Sequence, residues 1–237
     1  MDDAFFSVHR DLPREGPGLP DDVAWALAAS GVTGPVRILD AACGPGADLV
    51  TLAEHLPEAE IHGIDAVAHF VAAAQARVHR FGPRVRVTQG DMAKIEGPYD
   101  LIWCAGALYF LGLTQGLTLW RSALAQGGAV AFSEPVLLGG PEPQVVSEFW
   151  AEYPQITDHA GIVARVRQAG FEVVGHRLIS GDAWAAYYNP MQVRVDRLRA
   201  TGDTRLTAAL DEAAREMALW QAAPDRIAYN LVLVRPA

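Results

Sequence analysis

The sequence predicts a doubly wound α/β fold, a seven-stranded, mostly parallel sheet with helices on both faces and a helical insert between the last two strands. Three observations predict it. Residues 36–48 read as a short apolar β-forming run, a turn of small residues and a helical pattern. Strand and helix patterns then alternate as far as residue 132, as a βαβ architecture requires. Finally, about 45 residues (181–225) carrying two helical patterns separate the last two strand patterns.

The opening strand (Val36, Ile38, Leu39) ends on a carboxylate, Asp40, and Ala41-Ala42-Cys43-Gly44-Pro45-Gly46 leads into a helix over 47–55. A strand, a glycine turn and a helix N-terminus form a nucleotide-site candidate. In a dinucleotide site a third glycine permits close helix packing, and here Leu49 stands there. Pro45 supplies no N–H to a phosphate, and Asp40 repels a pyrophosphate while suiting a cationic amine or sulfonium. The ligand is therefore read as a positively charged nucleoside rather than a dinucleotide.

Leu39-Asp40-Ala41-Ala42-Cys43-Gly44-Pro45-Gly46 resembles the first motif of the class I, Rossmann-like S-adenosylmethionine-dependent methyltransferases, well over residues 36–135 and in outline beyond. Ala42 departs from the family's glycine, a change that costs little unless the backbone there needs a positive φ. The resemblance implies that Asp40 and the turn with Ala42, Cys43, Gly44 and Gly46 hold the methionine end of the cofactor.

Composition fits such an enzyme. Half of the 237 residues are hydrophobic, enough for a proper core. No run approaches about 18 apolar residues, and Met1-Asp2-Asp3 lacks the basic start of a signal peptide, so a cytoplasmic protein without membrane attachment is expected. Two cysteines, Cys43 and Cys104, agree with a reducing compartment. They are read as buried apolar thiols, with a redox pair as the alternative. A net charge of −9 disfavours nucleic acid and favours a small-molecule acceptor.

In chain order, residues 1–20 are broken by Pro and Gly and predict an N-terminal arm, packed by Phe5 and Phe6 or acting as a flap with Arg14 near a carboxylate. A helix follows over 21–30. A second strand, 61–64, ends at Asp65, 25 residues after Asp40, a spacing that suits a carboxylate on a ribose diol. Asp65 and Ala66 also open a helix over 66–81, with Asp65 as its cap. A third strand, 84–88, precedes Gly90-Asp91-Met92, and the resemblance assigns Asp91 to the adenine amine and Met92 to its ring. A fourth strand, 100–104, leads into Cys104-Ala105-Gly106, small residues that let a ligand approach, with Cys104 and Ala105 on the methyl-transfer wall. Tyr109 either faces the acceptor or packs on the sheet edge.

A helix over 113–124, a Gly127-Gly128 turn and a fifth strand, 129–132, bring the chain to Glu134, either a substrate-side group or an exposed loop carboxylate. Helices over 145–153 and 161–169 precede strands over 171–179 and 227–234. If the first of these is parallel, the insert begins over the site. Trp184, Tyr187 and Tyr188 then form an aromatic cap, or a clasp packed on the body. Helical patterns at 191–199 and 206–221 complete the insert, the second being a clasp element or a dimer face.

His159, beside Asp158, is the histidine carried as a general-base candidate. No His/Cys cluster has metal-ligand spacing, so no metal is expected. Phosphate loops with a lysine and Gly-x-Ser-x-Gly elbows are absent. The Asn/Asp-Pro-Pro-Tyr/Phe signature of nucleic-acid base methylation is absent as well. Residues 1–237 are read as one domain transferring a methyl group from S-adenosylmethionine to an O, N or C atom of a small molecule. Alternatives are a non-catalytic binding module and an NAD(P)-dependent reductase.

Overall fold

The structure is a computed structural model that describes residues 3–237, Asp3 by its backbone alone. The acidic start read at Met1 and Asp2 lies outside the described residues. Parallel strands β1 (Arg37–Ala41), β2 (Glu60–Asp65), β3 (Val85–Gln89), β4 (Tyr99–Cys104) and β5 (Leu124–Leu137) form most of the sheet. A two-residue strand, β6 (Thr157–Asp158), pairs with the end of β5. Strand β7 (Phe171–Ile179) runs with the others, and β8 (Ala228–Pro236) lies antiparallel between β5 and β7. The order is β3-β2-β1-β4-β5-β8-β7. Reversal of strand order between β1 and β4 places a crevice at the carboxyl ends of the parallel strands, where ligands bind in such sheets.

Two cores flank the sheet. One buries the inner sides of α2 (Pro20–Ser30), α3 (Ala47–His55), α4 (Ala68–Val78), α6 (Gln144–Phe149), α8 (Asp182–Arg199) and α9 (Thr207–Ala222). The other is built on α5 (Leu113–Trp120) and α7 (His159–Gln168). Strand residues alternate between them, with Ile38 facing the first core and Leu39 the second.

Several expectations are corrected. The arm begins with a helix, α1 (Asp3–His9), which packs on α8 and α9. The helix expected over 113–124 stops at Trp120, because a single 3₁₀ turn delivers the chain into β5. Gly127 and Gly128 lie within β5, where the pairing with β4 slips between Tyr99 and Leu101 and Gly127 takes a φ of 76°. Strand β5 also continues past Phe132 through Pro135. Strand β4 ends opposite Phe132, so that side of β5 is locally an edge, where a residue without an N–H is tolerated. Helix α8 starts at Asp182 and runs through Pro190, so the insert's aromatics stand on a helix. The apolar side of α9, with Leu210, Ala213, Met217 and Trp220, is buried, as a clasp requires. Among the described residues no helix is long and apolar enough to cross a membrane.

Candidate active site

Strand β1 delivers Asp40 to the crevice only 2% exposed, with Oδ2 lacking a hydrogen-bond partner among the described residues. Burial first, then the charges of Asp48 and Asp65, push its carboxyl well above the usual range, against a small opposing pull from Arg14. Ala42 follows with φ 59°, so the turn does need a left-handed residue, and the expectation of a negligible cost is corrected. Gly46 does not face the crevice. A Cβ there would lie 2.9 Å from the Ala74 Cβ, so its role is the close approach of α3 and α4. The intimacy that a third glycine on α3 would supply comes from the opposite partner, since a Cβ on Gly63 of β2 would lie 2.7 Å from Leu49 Cδ1.

Asp65, at the tip of β2, accepts from the Gly44 N–H at 2.9 Å through Oδ2 and from the Val67 N–H at 2.8 Å through Oδ1. It ties the first turn to the start of α4 and retains acceptor lone pairs toward the crevice, where Ala66 lies beside it. Asp91 caps a 3₁₀ turn by accepting from the Ala93 N–H at 2.8 Å, and it lines the crevice with Met92. Cys43 and Ala105 line it too, whereas Cys104 is fully buried outside the lining, which corrects its place on the methyl-transfer wall. Both thiols are free, and burial pushes both above the ordinary thiol range. From the arm, Arg14 reaches in, donating to Gly16 O at 2.5 Å and lying 3.4 Å from Asp48 Oδ1. Asp48 is held from its other side by the Trp103 indole N–H at 3.0 Å.

These groups occupy one end of a cavity of about 1450 Å³. Residues 38–128 match the model of a methyltransferase domain family. The chain is 31% identical over 201 residues to trans-aconitate 2-methyltransferase of Yersinia pestis, a match covering 79% of this chain and 76% of that protein. The chain belongs to the class I S-adenosylmethionine-dependent methyltransferase family. An uncharacterized Synechococcus protein is 37% identical over 115 residues, covering 46% of this chain, which spans 28% of that protein. In fold, the chain superposes on a methyltransferase of Geobacter sulfurreducens solved with S-adenosylhomocysteine, with TM-score 0.86, 20% identity, and coverage of 100% of this chain and 99% of that one. The cofactor of this methyltransferase is S-adenosylmethionine, and the nicotinamide reading is set aside.

The opposite half of the methyltransferase cavity is aromatic. Trp184, Tyr187 and Tyr188 of α8 all line it, each less than a tenth exposed. Trp184 donates to Ile179 O at 3.1 Å, and its ring lies 5.1 Å from that of Tyr229. Tyr109 faces the cavity, its ring 6.4 Å from that of Tyr229; burial first, with Glu134 among the lesser causes, pushes its phenol up to about 12. Glu134 is a fully buried strand residue, which corrects the exposed-loop reading. Its Oε1 accepts from the Tyr153 hydroxyl at 2.5 Å, and Oε2 has no partner among the described residues. Burial raises this carboxyl to about 7, against the hydrogen bond from Tyr153 and the charge of Arg165.

His159 is not brought to the cavity. Its ring stacks on His176 at 3.9 Å and meets the Asn230 amide at 2.9 Å, so the general-base assignment is withdrawn. Sequence reasoning missed Tyr153, Arg165, Glu216 and Tyr229, which all line the cavity. Ala209, Glu212, Ala213 and Glu216 repeat at helical spacing on one side of α9, a signal legible in the sequence. Tyr153 and Tyr229 carried no comparable pattern, because long-range pairing brings them in.

Proposed function

We propose that the protein methylates a small organic acceptor held in the aromatic half of the cavity, with the cofactor lying along the tips of β1 to β4. Asp40 carries this reading. A buried carboxylate with an unpartnered oxygen, among other carboxylates, is costly unless a cation completes it. The amino and sulfonium groups of S-adenosylmethionine are such cations, so the donor set fits the cofactor. Arg14 would hold the methionine carboxylate, Asp65 the ribose, Asp91 the adenine amine and Met92 the ring face. When bound, the cofactor supplies an electrophilic methyl group on a sulfonium, the acceptor's lone pair replacing the S–C bond whose electrons stay on sulfur.

The chain's own residues orient the acceptor, exclude water and manage its proton. Tyr153 faces the cavity with its hydroxyl on Glu134. For an acceptor that must lose a proton, Tyr153 takes it at the phenol oxygen while passing its own to Glu134 Oε1, whose affinity for a proton burial has raised. The Yersinia relative is named for trans-aconitate, a tricarboxylate, but Glu152, Glu212 and Glu216 on the wall here oppose an anionic acceptor. The free, buried cysteines support a reducing cytoplasmic setting.

Thermal unfolding of the purified protein, alone and with S-adenosylhomocysteine or NADH, tests the cofactor assignment. At about 100 times its dissociation constant a ligand adds about 2.7 kcal/mol, and the homocysteine nucleoside alone is expected to do so. Stabilisation by NADH alone would overturn the reading of Asp40. Transfer of labelled methyl to a panel of amines, phenols and acids then tests catalysis, and binding without turnover on any of them would favour a non-catalytic module.

A further inference from the structure

Glu216 of α9 lines the cavity with more than a third of its surface open to solvent. The Tyr188 hydroxyl donates to its Oε1 at 2.6 Å. Its charge reaches Tyr109, Tyr187, Tyr188 and Tyr229, four rings on the same wall. Tyr187 is 8% exposed, lines the cavity, and its hydroxyl has no hydrogen-bond partner among the described residues. Glu212 and Glu152 add negative charge nearby.

The cations lining the cavity are engaged elsewhere. Arg14 sits on Gly16 and Asp48, Arg165 donates to Gln155 O at 2.6 Å beside Glu134, and His9 pairs with Glu15 at 2.8 Å. The Tyr188 hydrogen bond and the charge of His9 pull on Glu216, yet desolvation at its carboxyl outweighs them and the carboxyl is pushed up. An anionic group among aromatic rings of one cavity, with no committed counter-ion among the described residues, is the arrangement that selects an organic ammonium. The carboxylate supplies the charge and the ring faces supply the cation–π attraction.

We propose that Glu216 and the tyrosines around it form a subsite that binds the protonated amine of the methyl acceptor, so that the acceptor class is an organic amine rather than a carboxylic acid. The proposal rests on the methyl-transfer reading above only for the word acceptor; the subsite is defined by its own residues. The unpartnered Tyr187 hydroxyl gives the ammonium a second oxygen, and Phe149, Trp150 and Trp184 line the same cavity beside an apolar body.

Calorimetric titration tests it with three probes of similar shape and different charge, 2-phenylethylamine, 2-phenylethanol and phenylacetate, added to protein saturated with S-adenosylhomocysteine and to protein without it. The amine is expected to bind about tenfold or more tighter than either other probe. Glu216→Gln keeps an oxygen for Tyr188 and removes the charge. It is expected to erase the preference for the amine, while leaving the affinity for 2-phenylethanol within about twofold. Equal binding of the three probes, tightest binding of phenylacetate, or an amine preference that survives Glu216→Gln would overturn the subsite. Failure of S-adenosylhomocysteine to bind would strike the methyl-transfer reading alone, since the titrations without it still decide the amine subsite.

Discussion

At Ala42 the backbone holds a left-handed conformation with a Cβ attached, at φ 59°. That conformation costs roughly 1–2 kcal/mol for a residue other than glycine, against about 0.4–1 kcal/mol of extra chain entropy that glycine loses on folding. Ala42→Gly is therefore expected to raise the melting temperature by about 1–4 °C, and a lower one would contradict the strain. Asp65 accepts from two backbone N–H groups and is proposed to hold the ribose, so Asp65→Ala is expected to weaken S-adenosylhomocysteine binding by roughly 1–3 kcal/mol and also to lower stability, as those N–H groups lose their acceptor. Calorimetry and melting read the two effects separately, and unchanged affinity would refute the ribose role. Glu134 titrates at about 7 in the folded protein, against an ordinary value of 4.5. Below the ordinary value both folded and unfolded forms are protonated, so no penalty exists. As pH rises toward 7 the unfolded chain ionises first, and stability falls by roughly 3 kcal/mol before levelling off. Glu134→Gln retains an acceptor for Tyr153 and removes that loss. Urea unfolding of parent and variant from pH 4.5 to 7.5 should show the gap between them changing by about that amount.

Among the elements, α1 shows how tertiary contacts decide a short helix. Its seven residues include two phenylalanines, a valine and a serine, and a helix of that length does not stand alone in water. It forms because Phe6 packs edge-on against Phe70 of α4 at 6.4 Å and Arg194 of α8 donates to Ser7 O at 2.8 Å. The arm consequently bridges the cofactor side and the insert. Arg194→Ala is expected to speed hydrogen exchange in α1 by about tenfold or more, with the sheet amides unaffected. Equal protection in parent and variant would show that the arm is held by its phenylalanines alone. The same physics explains what the sequence disclosed of the elements. Sheet strands were legible because apolar runs bounded by glycine and aspartate mark them locally, as at Ile61 and Asp65. Helix α1, the extension of β5 beyond Phe132 and the start of α8 were not, because Pro135, Pro190 and the broken arm read as local stops that packing overrides.

For the molecule as a whole, the half of the cavity proposed for the cofactor was readable because one strand-turn-helix segment carries Asp40, Ala42, Cys43 and Gly44 in contiguous sequence. The aromatic half, proposed for the acceptor, was only partly readable. Trp184 and Tyr188 announced themselves as an aromatic cluster, but Tyr229 and Glu216 meet them from β8 and α9, and no local pattern reports such a meeting. Long-range assembly of that kind has a consequence during synthesis. Strand β7 pairs in the described sheet with β8 alone, and nearly fifty residues of α8, α9 and their connections separate the two. Until β8 has left the ribosome, β7 presents a bare edge with Val173, Val174 and Leu178 available to any passing strand, and the tyrosine wall lacks one of its members. In chain order, then, the aromatic half of the cavity is completed only when β8 arrives, and until then the unpaired edge of β7 is open to aggregation.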